Sequence, residues 1–426
     1  MAAPATAKRL YRPPAAAGTE PGTKRHRTAA AAPAMEDADA GAGAGGSIDD
    51  AAVEQQQPLL PGLPDHLAQL CLAPLPPRLV HAVCRPWRRL LYSPSFPSFL
   101  SLYAVLDGVD GGGGVSFAAY DAVAGRWEAL PPPPLPSPPP RLWHPSFLAR
   151  RLPLQSVAAA GRLVLVAGST QSLHPALSRP VVFDPAARPA PRWRLGPRFP
   201  SSPRRWCAAG AARGRVFIAG GVGAGYDAAV ARSGAVWDPA APAAAWEPLP
   251  PLRDGRFSRD AAEAVCSGGK VCMVSLRSRG AKEGAVFDLR AGRWEDMPPG
   301  MLAGWKGPAA AASSSSPDGG GAGGEEDTIY VVDEERGALL AYDWAGDRWR
   351  TVAESERLRG AAEVAAGGGR VCVVAEGAEK VIVVDVAPKP PNRSPAPAPP
   401  RMWEVAAPPG KRVVALHVLP RMTRAE

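Results

Sequence analysis

An apolar or aromatic residue followed by Asp, with a Trp several residues downstream, recurs six times in this chain. A sustained repeat of this kind constrains a fold more tightly than any single motif. The units are Tyr120-Asp121 with Trp127, Phe183-Asp184 with Trp193, Trp237-Asp238 with Trp246, Phe287-Asp288 with Trp294, Tyr342-Asp343 with Trp349 and, more loosely, Val384-Asp385 with Trp403. Successive Trp residues lie 66, 53, 48, 55 and 54 positions apart. In all but the first unit a short alternating or β-branched run precedes the Asp: RLVLVAG (162–168), RVFIAGG (215–221), KVCMVSL (270–276), TIYVVDE (328–334) and RVCVVAE (370–376). Gly161, Gly214, Gly269 and Gly369 introduce four of these runs, where glycine suits the tight turn of a hairpin. Each unit therefore reads as about four strands: one before the glycine, one after it, one ending at the Asp and one beginning at the Trp.

Four-stranded units of roughly 50 residues have the size of propeller blades. The order of glycine, aromatic with Asp, then Trp resembles kelch repeats over 101–420, although only Gly220-Gly221 keeps a full glycine pair at the end of its strand. The first unit lacks one strand, and VVALHVL (413–419) is left over after the last Trp. Donating it to the first blade would join the ends of the ring and leave no open edge. The expected fold is mainly β: a six-bladed kelch-type propeller at 101–420 closed by the C-terminal strand, with a short tail at 421–426. A β-sandwich with unrelated Trp residues is the alternative. The Pro, Ser and Gly-rich stretches 130–141, 312–327 and 387–401 are expected as loops, since their composition opposes strand pairing.

Residues 59–100 break the pattern. Leu63, Leu67, Leu70 and Leu75, then Leu79, Val80, Val83, Trp87, Leu90 and Leu91, recur at helical steps. A module of about 40 residues cannot bury so many large apolar groups internally, so some must meet a partner. Pro64 suits the opening of a first helix and Pro76-Pro77 the break before a second, whereas Pro86 should kink or restart the third. Trp87 is an aromatic anchor of the kind that dominates interfaces.

The series Leu63-Pro64-Asp65-His66-Leu67, Leu75-Pro76, Val83-Cys84-Arg85-Pro86-Trp87-Arg88-Arg89-Leu90 and Ser93-Pro94-Ser95-Phe96 resembles an F-box. Taken with the kelch-like ring, the whole chain is similar to plant F-box/kelch-repeat proteins of the Skp-interacting type. That resemblance implies the substrate receptor of an SCF ubiquitin ligase, with the F-box on a Skp-type adaptor, a cullin held through it, and the propeller on a target protein. It places Leu63, Pro64, Leu67, Leu70, Leu75, Leu79, Val83, Trp87 and Leu90 in the adaptor contact, and expects no catalytic residue. A propeller scaffold without a ligase role and a propeller enzyme are the rival classes.

Counting back ten residues from the four hairpin glycines reaches Arg151, Arg204, Arg259 and Arg359, with Lys306 in the corresponding stretch of the fifth unit and Trp206 and Trp305 nearby. These positions share one face of the ring. They are expected either to bind an acidic or phosphorylated target segment through bidentate guanidinium contacts, or to pair with blade-to-blade carboxylates such as Asp260 or Glu263.

The rest narrows the classes. The net charge of +9 sits outside residues 1–58, which hold six Lys or Arg against seven Asp or Glu. This Ala, Gly and Gln-rich stretch is expected to be a disordered tail. Within it Lys24-Arg25-His26-Arg27 resembles a nuclear-import signal and reads equally as a solvated basic patch. Cys71, Cys84, Cys207, Cys266, Cys272 and Cys372 form no C-x-x-C pair, which suits small buried hydrophobes in a reducing compartment. Nucleus or cytoplasm is the expected location, without a membrane partner. The tail sequence Gly41–Gly46 matches a dinucleotide fingerprint but follows no strand, and no P-loop or H-E-x-x-H occurs. His144, His174 and His417 fall at unrelated blade positions, so no metal or other cofactor is expected. The arginine excess comes with no nucleic-acid motif, and no nucleic-acid partner is expected.

Overall fold

Two-residue hairpins punctuate the computed structural model where the glycines stand. Ala160-Gly161, Arg213-Gly214, Gly268-Gly269 and Gly368-Gly369 all have positive φ at both central positions, the requirement of a type I′ turn. The structure describes residues 58–108, 115–135, 154–169, 174–225, 227–241, 243–255, 257, 262–275, 282–312, 327–375, 377–387 and 399–424. The tail with Lys24–Arg27, most of the three Pro, Ser and Gly-rich stretches, Arg151 and Arg259 lie outside them.

The hairpins belong to six four-stranded antiparallel sheets, the blades of a propeller. Blade 2 runs outward through Leu154–Ala159, Arg162–Gly168, Val181–Asp184 and Arg192–Leu195. Blades 3 to 6 repeat that order from innermost strands Ala208–Ala212, Ala262–Ser267, Ala309–Ala312 and Glu363–Gly367. Blade 1 takes its innermost strand from the far end of the chain: Lys411–Pro420 pairs with Leu100–Gly108, Tyr103 standing opposite His417. The donated strand is thus the inner one, and closure follows the expected route.

Each apolar cluster lies between neighbouring blades. Tyr103, Val105 and Phe117 of blade 1 pack on Leu163, Leu165 and Phe183 of blade 2, and equivalent clusters fill the other five junctions. The inner strands of blades 3, 5 and 6 are mostly Ala and Gly, which suits their convergence on the axis: a Cβ at Gly210 would stand 2.8 Å from the carbonyl oxygen of Ala264 in the next blade. They line a central channel with a cavity of about 680 Å³.

The two repeated residues divide the labour. All six repeat aspartates turn the chain between the third and fourth strands by accepting backbone N–H groups on Oδ1: Asp121 from Val123 and Ala124 at 2.8 and 2.9 Å, Asp288 from Arg290 and Ala291 at 2.8 and 2.9 Å, and Asp184, Asp238, Asp343 and Asp385 from one residue each. The repeat tryptophans tie blades together. The indole N–H donates to a carbonyl of the preceding blade's exit at four junctions: Trp127 to Ala406 at 2.7 Å, Trp193 to Pro131 at 2.6 Å, Trp294 to Pro250 at 2.9 Å and Trp349 to Met301 at 3.1 Å. Trp294→Phe keeps the ring stacked on Phe287 but loses this bond, and is expected to lower stability by about 0.5–1.5 kcal/mol in denaturant unfolding.

The strand order also separates two faces. Inner hairpins and Asp turns lie on one, here the hairpin face, and the blade-to-blade connections lie on the other, the junction face. Because the chain enters blade 1 at Leu100, opposite Pro420, residues 58–99 sit on the hairpin face.

Candidate functional site

Three short helices precede the ring: α1 (Asp65–Leu72), α2 (Pro77–Val83) and α3 (Arg85–Tyr92). Prolines set their limits as expected. Pro64 and Pro76 occupy the N-cap positions of α1 and α2, and Pro77 fills the first turn of α2, where a missing N–H costs nothing. Pro86 restarts the helix: Cys84 is fully extended (φ −153, ψ 170) and α3 begins at the next residue.

Leu72, Val80, Leu90, Leu91, Tyr92 and Phe96 form the small core. What this core leaves out is informative. Leu63, just before α1, and Leu67 and Leu70 on it are 38, 41 and 69% exposed, and Leu79 and Val83 along α2 are 50 and 52% exposed. These five are most of the exposed large hydrophobic residues among those described, which otherwise comprise Leu100 and Leu195. They follow helical spacing on and just before two consecutive helices, so the module leaves apolar side chains uncovered.

The other expected adaptor contacts divide. Pro64 is exposed beside Leu63. Leu75 and Trp87 are half-buried against the module core, and the Trp87 indole donates to Leu59 O at 2.7 Å, pinning the segment that leads into α1. Leu90 is a correction: it is 6% exposed and belongs to the core, because α3 turns that side inward.

On the junction face the expected basic ring is discontinuous. Arg204 is 1% exposed, and its guanidinium donates from Nη1 to the carbonyls of Gly220 (3.0 Å) and Ser233 (3.2 Å), and from Nη2 to Ser233 Oγ (2.8 Å) and Ser201 Oγ. It is a strut holding loops of blade 3, bound to carbonyls and hydroxyls instead of the expected carboxylate. Trp206 is also buried, in a left-handed conformation (φ 55), with the Arg205 guanidinium 4.4 Å over its ring. Trp305 is fully buried between blades 4 and 5, its indole 3.4 Å from Glu263 Oε2 and edge-on to Trp349. None of these three presents a surface to a target. Lys306 and Arg359 do reach the surface, 3.5 Å from Asp333 and 3.0 Å from Glu356.

Nothing here assembles a metal centre: among the described residues no group of three His, Cys, Asp or Glu side chains could hold an ion. Burial pushes the thiol of Cys207 up to about 11 and those of Cys272 and Cys372 up to about 12, which suits packing side chains. His417 in the channel accepts or donates one bond with Ser156 Oγ at 2.7 Å, and burial lowers its pKa to about 4. Sequence reasoning listed His417 but not this partner, which lies 261 positions away on the neighbouring inner strand. No helix among the described residues is long and apolar enough to cross a membrane.

No family model matches the chain. Among curated proteins it is 42% identical over 329 residues to the F-box/kelch-repeat protein SKIP25 of Arabidopsis thaliana, covering 73% of this chain and 79% of that protein. It is 25% identical over 282 residues to the F-box protein AFR of the same plant, covering 61% of this chain and 69% of the relative. With six four-stranded blades and a proline-punctuated helical module in the order those names describe, the chain belongs to the F-box/kelch-repeat proteins.

Proposed function

We propose that this protein is the non-catalytic substrate-recognition subunit of an SCF ubiquitin ligase, its α1–α2 face docked on a Skp-type adaptor and its propeller holding the target. The observation that carries this reading is the concentration of exposed aliphatic side chains on the helical module. A surface of Leu63, Leu67, Leu70, Leu79 and Val83 loses free energy to water until a partner covers it, and each side chain contributes about 1.5–3 kcal/mol when fully buried. The two faces of the ring support a division of roles: the module occupies the hairpin face, which leaves the junction face, with Lys306 and Arg359 among its charges, for an acidic or phosphorylated segment. The transfer chemistry belongs to other subunits, and the chain contributes proximity and choice.

Affinity purification under proteasome inhibition, comparing the intact chain with one lacking 59–100, tests the reading. Targets are expected to accumulate with the truncated form, and the adaptor is expected only with the intact form. Adaptor capture that survives the deletion would overturn the assignment, and identical target levels in both would favour a scaffold without a ligase role.

A further inference from the structure

Three remote parts of the chain meet on the hairpin face of blade 1. The first is the C-terminal end of α3, whose last carbonyls have no partner within the helix. The second is the Asp121 turn. The third is the segment 421–424, just beyond the closing strand, which the sequence reading set apart as a tail.

Arg421 is 3% exposed, and its guanidinium donates to the carbonyls of Tyr92 at 3.2 Å and Ser93 at 2.9 Å. It therefore caps α3 with a positive charge at the helix's negative end. The same guanidinium lies 5.6 Å from the Tyr92 ring and 5.5 Å from the Phe99 ring, and the Arg421 N–H donates to Phe99 O at 2.9 Å. The Arg424 guanidinium lies 3.9 Å from the centre of the Tyr92 ring and pairs with Asp121 at 3.7 Å and with Glu128. Between them, Thr423 N donates to Pro185 O of blade 2 at 3.0 Å. Tyr92 completes the cluster by donating its hydroxyl to Asp121 Oδ2.

Asp121 is what distinguishes this arrangement from ordinary packing. The six repeat aspartates have the same turn-forming task, yet Asp121 alone among them is buried, because α3 and the 421–424 segment cover it. Outside this cluster the module meets the ring through Val123, which packs on the module core, and through the short connection carrying Phe96 and Phe99. Domains within one chain move relative to one another by default unless their interface is large and apolar.

We infer that residues 421–424 are a clasp that fixes the orientation of the helical module on the propeller, with Arg421 and Arg424 as its positioning residues. The clasp follows from these contacts whether or not the module binds a Skp-type adaptor. Its consequence for ubiquitin transfer rests on the proposed function: a fixed module presents a bound target at one distance and angle from the adaptor, where a loose one would sweep a range.

The test reads orientation directly in the full-length chain. Spin labels are placed at Arg78→Cys on α2 and Arg293→Cys on the hairpin face of blade 4, in a Cys71→Ser, Cys84→Ser background, the other cysteines being buried. The parent is expected to give one narrow distance distribution. Ending the chain at Pro420, which retains the closing strand, and separately replacing Arg421 and Arg424 by Ala, should each widen it by about twofold, with adaptor capture unchanged. An unchanged width in a folded variant overturns the clasp. So does unfolding of the ring on removal of 421–426, since that would make the segment part of the propeller core. Failure to capture the adaptor in the parent would count against the proposed function and leave the distance measurement to decide the clasp.

Discussion

The double substitution Leu67→Asp, Leu79→Asp should abolish capture by a Skp-type adaptor while leaving the melting temperature of the chain nearly unchanged. Both leucines are about half exposed, so in the free chain the new carboxylates remain hydrated and cost no more than about 0.5 kcal/mol each. In the complex the same carboxylates would be buried without partners, which typically costs several kcal/mol apiece. Two such penalties lower affinity by more than about a thousandfold, as each 1.4 kcal/mol is tenfold. A pull-down or calorimetric titration with purified adaptor reads the result, and retained binding would show that the apolar face is not the docking face. Trp87→Ala is a poorer probe. Its indole holds Leu59 O and packs on the module core, so its removal should cost both fold and binding, about 3–5 kcal/mol in all.

Charge reversal on the junction face should split into two unlike outcomes. Arg204→Glu is expected to destabilise the propeller by about 3–5 kcal/mol, because the new carboxylate would face the carbonyls of Gly220 and Ser233 in a site with no access to water. Arg359→Glu, exposed beside Glu356, should stay within about 0.5 kcal/mol of the parent. Denaturant unfolding of the two variants measures this, and equal stabilities would refute the strut. Loss of target binding in Arg204→Glu would consequently report folding. Arg359→Glu is the substitution whose effect on a target can be read as recognition.

The contrast between these arginines shows what the sequence carries and what it does not. Counting residues from the hairpin glycines assigns Arg204 and Arg359 to the correct face, since the register of a repeat is encoded locally in its turns. Whether a side chain then points outward depends on the loops that fold over it, here those contributing Gly220 and Ser233. The same holds in the helical module. Leu67 and Leu90 share a helical period, yet three short helices can cover only one side of the stripe, and the choice is made by packing. The Asp turns were legible because their chemistry works within a few residues, and the closing strand because the first unit lacks a strand and 413–419 is left over; the Trp residues mark the fourth strands, but their ties, 279 positions long for Trp127, leave no local sign. The blade 5 inner strand, Ala309–Ala312, was not: four alanines give no strand signal, and they are selected by crowding at the axis, a tertiary cause. Tyr92 and Arg421 are 329 positions apart, and no pattern in the chain announces their contact.

The closing strand has a consequence for how the molecule comes into being. During synthesis the Leu100–Gly108 strand emerges some three hundred residues before Lys411, an interval of about 15–60 s at ordinary elongation rates. Until then the nine-residue strand of blade 1 lacks the partner that covers its inner edge, and an unpaired edge invites association with other chains. Only when 411–420 arrives does the edge vanish, and the residues that follow seat the helical module. A nascent chain halted before Lys411 would therefore carry the helical module ahead of an unclosed ring.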